Sequence, residues 1–259
     1  MYNPLGVTTY GIKDGMLSIS AQRHCVANKS VAMMQANAST AKCAKGQTTK
    51  YSAGRLEAKQ LLSGTFLIEV RAKMPRAPAY GVRSAFWMVN VPENGSPYCG
   101  ESVQQTNLSE FDFLEWYSDS GASKHRGINR PTSSTHILCQ YDAKRQATQW
   151  HSSTGWSSYS SNWYKKWHVF SLRYNGSSTQ YFVDGKLTHE VKSTDSSSKK
   201  QSDKWKRNDP PTQKQWAQAT EKMSWRIILH QDVFTRAKNG SKFPAQTTLI
   251  DYVRVYKHL

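Results

Sequence analysis

Strict apolar–polar alternation constrains this chain more than any other feature. In Thr65-Phe-Leu-Ile-Glu-Val-Arg-Ala-Lys-Met74, Phe66, Ile68, Val70, Ala72 and Met74 fall on one side and Leu67, Glu69, Arg71 and Lys73 on the other. Side chains on a β-strand alternate between faces, so this run predicts a strand half buried against a core. The segment from Trp167 to Tyr174 reads the same way, and Leu249 to Tyr256, rich in β-branched and aromatic residues, reads as a closing strand. Between Gln180–Val183 and Lys186–His189 stands Asp184-Gly185, a pair that tolerates the positive φ of a tight type I′ turn, and a hairpin is expected there. Asn175-Gly176 marks another turn. Helical periodicity is scarce and no repeat period is evident. Such a rhythm of short strands and turns predicts an all-β sandwich, read as a single domain over residues 1–259. The Ser-rich and then basic stretch from Ser193 to Lys214 is expected to be a long surface loop.

Composition excludes some classes. Aromatic residues make up 12% of 259, too many for a disordered chain. Apolar runs stay far below the roughly 20 residues that span a bilayer, so no membrane partner is expected. Thirty-five Lys and Arg against 18 Asp and Glu leave a formal charge of +17, which attracts polyanions but says nothing of fold. Nucleic acid is disfavoured as the partner, because the basic residues are dispersed outside the 199–207 stretch and no nucleic-acid module is recognisable.

Four cysteines, Cys25, Cys43, Cys99 and Cys139, contain no CxxC pair, which argues against a structural zinc. Their even number suits two disulfides, with Cys25–Cys43 and Cys99–Cys139 the preferred pairs. Six of the eleven Asn residues (Asn28, Asn37, Asn94, Asn107, Asn175 and Asn239) head Asn-x-Ser sequons, against about two by chance. Both features favour a secreted, glycosylated protein. Met1-Tyr-Asn-Pro resembles no secretory leader, so that reading takes the chain as mature protein with an added Met.

The residues that carry chemistry are Glu110-Phe-Asp-Phe-Leu-Glu115, where three of the few acids lie within six positions. On a regular strand Glu110 and Asp112 share a face and Glu115 points away. One β-bulge between Asp112 and Glu115 adds a residue and returns Glu115 to the acidic face. Like charges in a row cost stability, and two adjacent carboxyls are the apparatus of a retaining glycosidase. The alternative is an exposed acidic face serving as partner to the many cations.

With its bulge this strand resembles the Glu-x-Asp-x-x-Glu motif of glycoside hydrolase family 16, the laminarinase, agarase and carrageenase clan. Further resemblances run in order from about residue 50 to the end: Tyr51–Arg55, Ser63–Pro75, Ser84-Ala-Phe-Trp-Met88, Thr135-His136, Trp167-His168, Tyr181–Gly185 and Asp251–Tyr256. The resemblance implies a β-jelly-roll of two antiparallel sheets with an open concave cleft, and endo-hydrolysis of a β-linked polysaccharide with retention. It implies Glu110 as nucleophile, Asp112 as its helper and Glu115 as acid/base, with His136 a cleft neighbour and Trp87 and Trp116 candidates for stacking on sugar. No cofactor or metal is implied, and a monomer is expected. The chain departs from the family at Arg83-Ser84, where Trp-Pro is common, at His230, where Asn is common, and at Ser109, where Gly is usual.

The charge bears on substrate. Arg83, Lys124, His125, Arg126 and Arg130 stand near the active strand in sequence or by family alignment, and Arg grips carboxylate or sulfate well. An acidic polysaccharide is therefore favoured: a hyaluronan-like glycosaminoglycan, as for the family's fungal hyaluronidases, ahead of a sulfated galactan. A neutral endo-β-1,3-glucanase is the alternative, and a non-catalytic carbohydrate-binding protein a lesser one.

Overall fold

Turn residues set where the strands reverse. Asp14-Gly15 and Asp184-Gly185 both take positive φ at two successive positions, 52° and 74° in each case. That is the type I′ geometry whose twist matches the flanking strands. The first closes β1 (Tyr10–Lys13) on β2 (Met16–Ala27), and the second closes β11 (Ser178–Val183) on β12 (Lys186–Lys192). Only the second of these hairpins is expected from the sequence reading. At the other expected turn, Asn175 Oδ1 accepts the backbone N–H groups of Ser177 and Ser178 at 3.1 and 2.7 Å. Gly176 beside it takes φ 88°.

The computed structural model describes residues 9–27, 43–75, 81–91, 109–118, 128–140, 148–154, 159–160, 162–194, 213–221, 223–234 and 243–257. The remaining strands are β3 (Gln47–Ala53), β4 (Arg55–Glu57), β5 (Phe66–Lys73), β6 (Val82–Val91), β7 (Glu110–Tyr117), β8 (Thr132–Gln140), β9 (Thr148–Thr154), β10 (His168–Tyr174), β13 (Ser224–Val233) and β14 (Gln246–Lys257). They form two antiparallel sheets. One runs β1-β2-β14-β5-β10-β11-β12, with β3 also pairing β2, and the other runs β4-β13-β6-β7-β8-β9. This is the jelly-roll sandwich expected. Strand β5 alternates buried and half-buried as its sequence dictates, pairing β14 on one side and β10 on the other.

The core lies between the sheets. Phe66, Ile68 and Val70 of β5 and Phe170 and Leu172 of β10 meet Phe86 and Met88 of β6, Phe111 of β7 and Trp225 of β13. Phe111 and Trp225 stack with centroids 4.0 Å apart. Polar contacts also cross the gap. Ser84 Oγ lies 2.8 Å from Thr248 Oγ1, which also accepts from Gln231 Nε2 at 2.7 Å, and Tyr181 OH donates to the Ser134 carbonyl at 2.8 Å. A buried hydroxyl without a partner costs about 1–3 kcal/mol, so these pairs make the stacking of β6, β8 and β13 on the other sheet specific.

One helix, α1 (Gln213–Thr220), begins at the end of the stretch read as loop. Residues 195–212 lie outside the described set. Straight-chain residues and Ala favour the helix, and Pro210-Pro211 stands just before it in the sequence. Trp216, Ala219 and Thr220 share its buried face at i, i+3 and i+4. Trp216 Nε1 donates to the Gly176 carbonyl at 2.8 Å.

Cys25 of β2 is bonded to Cys43. Cys99 and the Cys139 side chain lie outside the described residues, as do the sequons other than Asn175. A loop of about 15–20 residues closed this way stabilises a fold by about 3 kcal/mol. The double variant Cys25→Ala, Cys43→Ala is expected to lose that amount in urea denaturation. An unchanged midpoint would show that β2 and the chain at Cys43 are held by the strand pairing alone.

Candidate active site

Strand β7 carries the site, and its parity changes once along its length. Against β6, Ala85 pairs Glu115 and Phe86 pairs Leu114, but Trp87 pairs Asp112, so Phe113 has no counterpart. Against β8, Ser134 pairs Asp112 and Thr132 pairs Glu115, so Phe113 and Leu114 together fill the place of one residue. This is the bulge expected from the sequence. Phe111, Phe113, Leu114 and Trp116 are buried as the inner face, while Glu110, Asp112 and Glu115 share the outer face of the six-stranded sheet.

The pairing lays the outer face out in rows across the strands. One row holds Val89, Glu110 and His136, and the next holds Ile228, Trp87, Asp112 and Ser134. A third runs Arg55, His230, Ala85, Glu115 and Thr132, and a fourth Asp232, Arg83 and Tyr117. Small Ala85 leaves room between His230 and Glu115.

Asp112 and Glu115 are both buried, at 4% and 6% exposure, which is costly for carboxyls unless they are paired. His136 Nε2 lies 3.1 Å from Asp112 Oδ2. Glu115 Oε1 accepts from Arg83 Nη1 at 3.1 Å and from Tyr117 OH at 2.9 Å. Burial, with the neighbouring charge of Asp112, pushes the Glu110 carboxyl up to about 8, and His136 works against that shift. Glu110 and Asp112 are hydrogen-bonded to each other, so one proton belongs to the pair rather than to either residue.

Glu110, Asp112 and His136 each offer a ligand atom within 4.8 Å of the others, the one such group of three among the described residues. Asp112 is the middle of this group, hydrogen-bonded to both Glu110 and His136.

The other residues expected at the site divide. Trp87 lies on the carboxylate face, opposite Asp112, with Nε1 donating to His230 Nδ1 at 2.6 Å and the Arg55 guanidinium 4.9 Å from its ring centroid. His136 stands opposite Glu110. Arg83 reaches the site but is bonded to Glu115 and Asp232. Trp116 is corrected: it is fully buried in the core, Nε1 donating to the Ile128 carbonyl at 2.9 Å, and offers no face to a sugar. The reason is parity, because the bulge that turns Glu115 outward turns its successor inward. Lys124, His125 and Arg126 lie outside the described residues.

Sequence reasoning overlooked Asp232, Tyr117, Arg55 and Glu57. The signal for Asp232 was available, since period two from Ile228 puts His230 and Asp232 on one face. Burial opposes the Asp232 charge, but His230 and Arg83 hold its carboxyl down at about 2. Burial likewise works against the Arg83 charge, and Asp232 with Tyr117 and Glu115 more than offsets it, holding the guanidinium above its ordinary value. Glu57 accepts from Arg55 at 2.9 Å and from Arg226 at 3.2 Å. Among the described residues Arg55, Arg83 and Arg226 of this face are therefore each engaged with a carboxylate.

A jelly-roll sandwich with three carboxyls gathered by a bulge on one outer face is the layout of a glycosidase. The family model of glycosyl hydrolases family 16 matches residues 20–225, and the chain belongs to that family. It is a glycoside hydrolase working by the retaining double displacement general to the family. Among solved structures it is similar to the laminarinase catalytic domain from Thermotoga maritima, at 19% identity over 97% of this chain and 81% of that one, TM-score 0.58. It is similar to the endo-β-1,3-glucanase from Pyrococcus furiosus, at 21% over 96% and 77%, TM-score 0.56. It is also similar to LamAcat from Zobellia galactanivorans, at 21% over 96% and 80%, TM-score 0.55. At these identities the likeness is one of fold. No curated protein sequence matches the chain.

Glu110 supplies a test of the site through stability. Its folded value, about 8, exceeds the ordinary glutamate value of 4.5, so between those pH values the folded state binds more protons than the unfolded one. The stability it contributes is complete below 4.5 and is lost as pH rises through 8. Glu110→Gln is expected to flatten this dependence and to raise the melting temperature more at pH 9 than at pH 5. An equal effect at both pH values, by calorimetry, would refute the burial of this carboxyl.

Proposed function

We propose that the chain is a secreted endo-β-1,3-glucanase acting on a neutral, laminarin-like glucan, with Glu110 as nucleophile, Asp112 as its proton partner and Glu115 as acid/base. The observation that carries the reading is the bulge in β7 that sets all three carboxyls on one face. Asp112, keeping the shared proton and hydrogen-bonding through it to Glu110, leaves Glu110 anionic for attack on the anomeric carbon. Glu115 gives its proton to the departing glycosidic oxygen. It then takes a proton from water, which displaces Glu110 and restores the β configuration. Trp87 and His136 flank the carboxylates and are the side chains proposed to touch the sugar.

Two considerations favour a neutral glucan over an acidic polysaccharide. The T. maritima and P. furiosus structures are named for laminarinase and endo-β-1,3-glucanase. The physical reason lies in the site: Arg55, Arg83 and Arg226 are spent on Glu57, Glu115 and Asp232. A sulfate or uronate would have to compete with those carboxylates for the arginines. The net charge of +17 is what favours the acidic reading. The Cys25–Cys43 bridge supports an oxidising, extracellular location.

Incubation with laminarin, hyaluronan and carrageenan at low and high salt decides the substrate. Cleavage of laminarin, little changed by salt, is expected; salt-sensitive cleavage of hyaluronan alone would overturn the neutral-glucan reading. The roles are decided by substitution. Glu110→Gln and Glu115→Gln should each lower kcat on laminarin by roughly 10²–10⁴-fold or more. Glu115→Gln should keep far more activity on an aryl glycoside whose leaving group needs no proton. Retention of full laminarin turnover by either variant would remove that residue from the mechanism.

A further inference from the structure

We propose that Asp232, acting through Arg83, is a positioning residue that sets the proton affinity of Glu115. The inference rests on the reading of Glu115 as acid/base and adds the machinery that holds it. Glu115 Oε1 takes the Arg83 Nη1 donor at 3.1 Å and the Tyr117 hydroxyl at 2.9 Å. The same guanidinium is clamped from its other side by Asp232 Oδ2, through Nε at 2.9 Å and through Nη2. Asp232 Oδ2 also lies 2.9 Å from His230 Nε2. The Trp87 indole N–H donates to His230 Nδ1 at 2.6 Å, which makes Nε2 the nitrogen that donates to Asp232. Trp87, His230, Asp232, Arg83 and Glu115 thus form one chain of contacts. It runs from the neighbour of Asp112 to the carboxyl at the other end of the bulge.

The charges explain why both ends of the clamp are needed. A lone cation 3 Å from a carboxyl favours its anion, commonly by 1–3 pH units, and a proton donor held as the anion cannot donate. Asp232 supplies the opposite charge on the far side of Arg83. The guanidinium can then fix the direction of Glu115 without stripping its proton. The other titratable groups facing Glu115 are Tyr117, Asp112 and Glu110 on its own strand, His136 on β8 and His230 on β13; its pairing partner Thr132 and neighbouring Ser134 on β8 do not titrate. Of these, His230 Nε2 also lies 3.4 Å from Arg83 Nη2, but besides Glu115 itself Asp232 is the carboxylate that touches Arg83 among the described residues.

The two substitutions should act in opposite directions. Asp232→Asn leaves Arg83 uncompensated, favours the Glu115 anion and lowers its titration midpoint by about one pH unit. Arg83→Met removes the cation and raises the midpoint by about as much. Arg83→Lys keeps the charge and should stay close to the parent protein. The midpoint can be read on the full chain by carboxyl carbon NMR, with the Glu115 signal identified by its loss in Glu115→Gln. The alkaline limb of kcat/KM on laminarin should move with it: roughly tenfold less activity for Asp232→Asn at a pH one unit above the optimum, and roughly tenfold more for Arg83→Met relative to its own maximum. A purely structural network would change melting temperature and leave both midpoints together. Shifts in the same direction, or no shift in either variant, would overturn the proposal. If Arg83→Met does not fold, Asp232→Asn against Asp232→Glu decides it, since only the first should shift the midpoint. The NMR titration needs no substrate, so a parent protein that fails to cleave laminarin counts against the proposed function and leaves this inference to be judged on the midpoints.

Discussion

Parity along β7 is the constraint on which the site depends. A strand presents alternate residues to one face, and without an interruption Glu115 would share the core side with Phe111. Burying a carboxylate among Phe66, Phe86 and Trp225 would cost several kcal/mol. The bulge at Phe113-Leu114 removes that conflict and puts two large apolar side chains in succession on the inner side. One extra residue therefore serves core and site together. It fills the interior opposite β10 and turns the third carboxyl outward. It also decides the fate of Trp116, which packs inside because Glu115 does not.

The site also shows how a strongly basic chain can present a compensated cleft. Its acids are few, yet Glu57, Glu110, Asp112, Glu115 and Asp232 gather on one face, interleaved with Arg55, Arg83, Arg226, His136 and His230. Opposite charges at hydrogen-bond distance neutralise one another locally, so the net charge of the molecule is a poor guide to the potential at the reacting atoms. The Glu110–Asp112 pair illustrates the same economy from the other side. Two like carboxyls in a buried site cannot both ionise cheaply, and holding one proton between them lets the row exist at neutral pH.

Much of this was legible one strand at a time. The alternation of β5, the Asp-Gly turn between β11 and β12, the closing strand β14 and the need for a bulge between Asp112 and Glu115 all follow from local rules, because period and turn chemistry act over a few residues. The helix at Gln213–Thr220 was also written locally, in the spacing of Trp216 and Ala219, but lay hidden behind a polar, Pro-ended stretch. The Cys25–Cys43 pair was a matter of arithmetic that the strand geometry then permitted.

Contacts between strands distant in sequence were not legible. Arg83 and Asp232 stand 149 residues apart, and Trp87 and His230 stand 143 apart. No periodicity relates them; they meet because β6 and β13 pair in one register. From the sequence Arg83 was a free cation awaiting an acidic substrate, and Trp87 a bare aromatic face. The sheet makes the first a partner of Glu115 and hands the indole N–H of the second to His230. The chain by itself determined which residues could carry acid–base chemistry and that they had to share a face, since residue type and strand parity are local properties. Which charges neutralise which was decided only by tertiary structure, because electrostatic pairing depends on distance in space, and distance across a sheet is set by register.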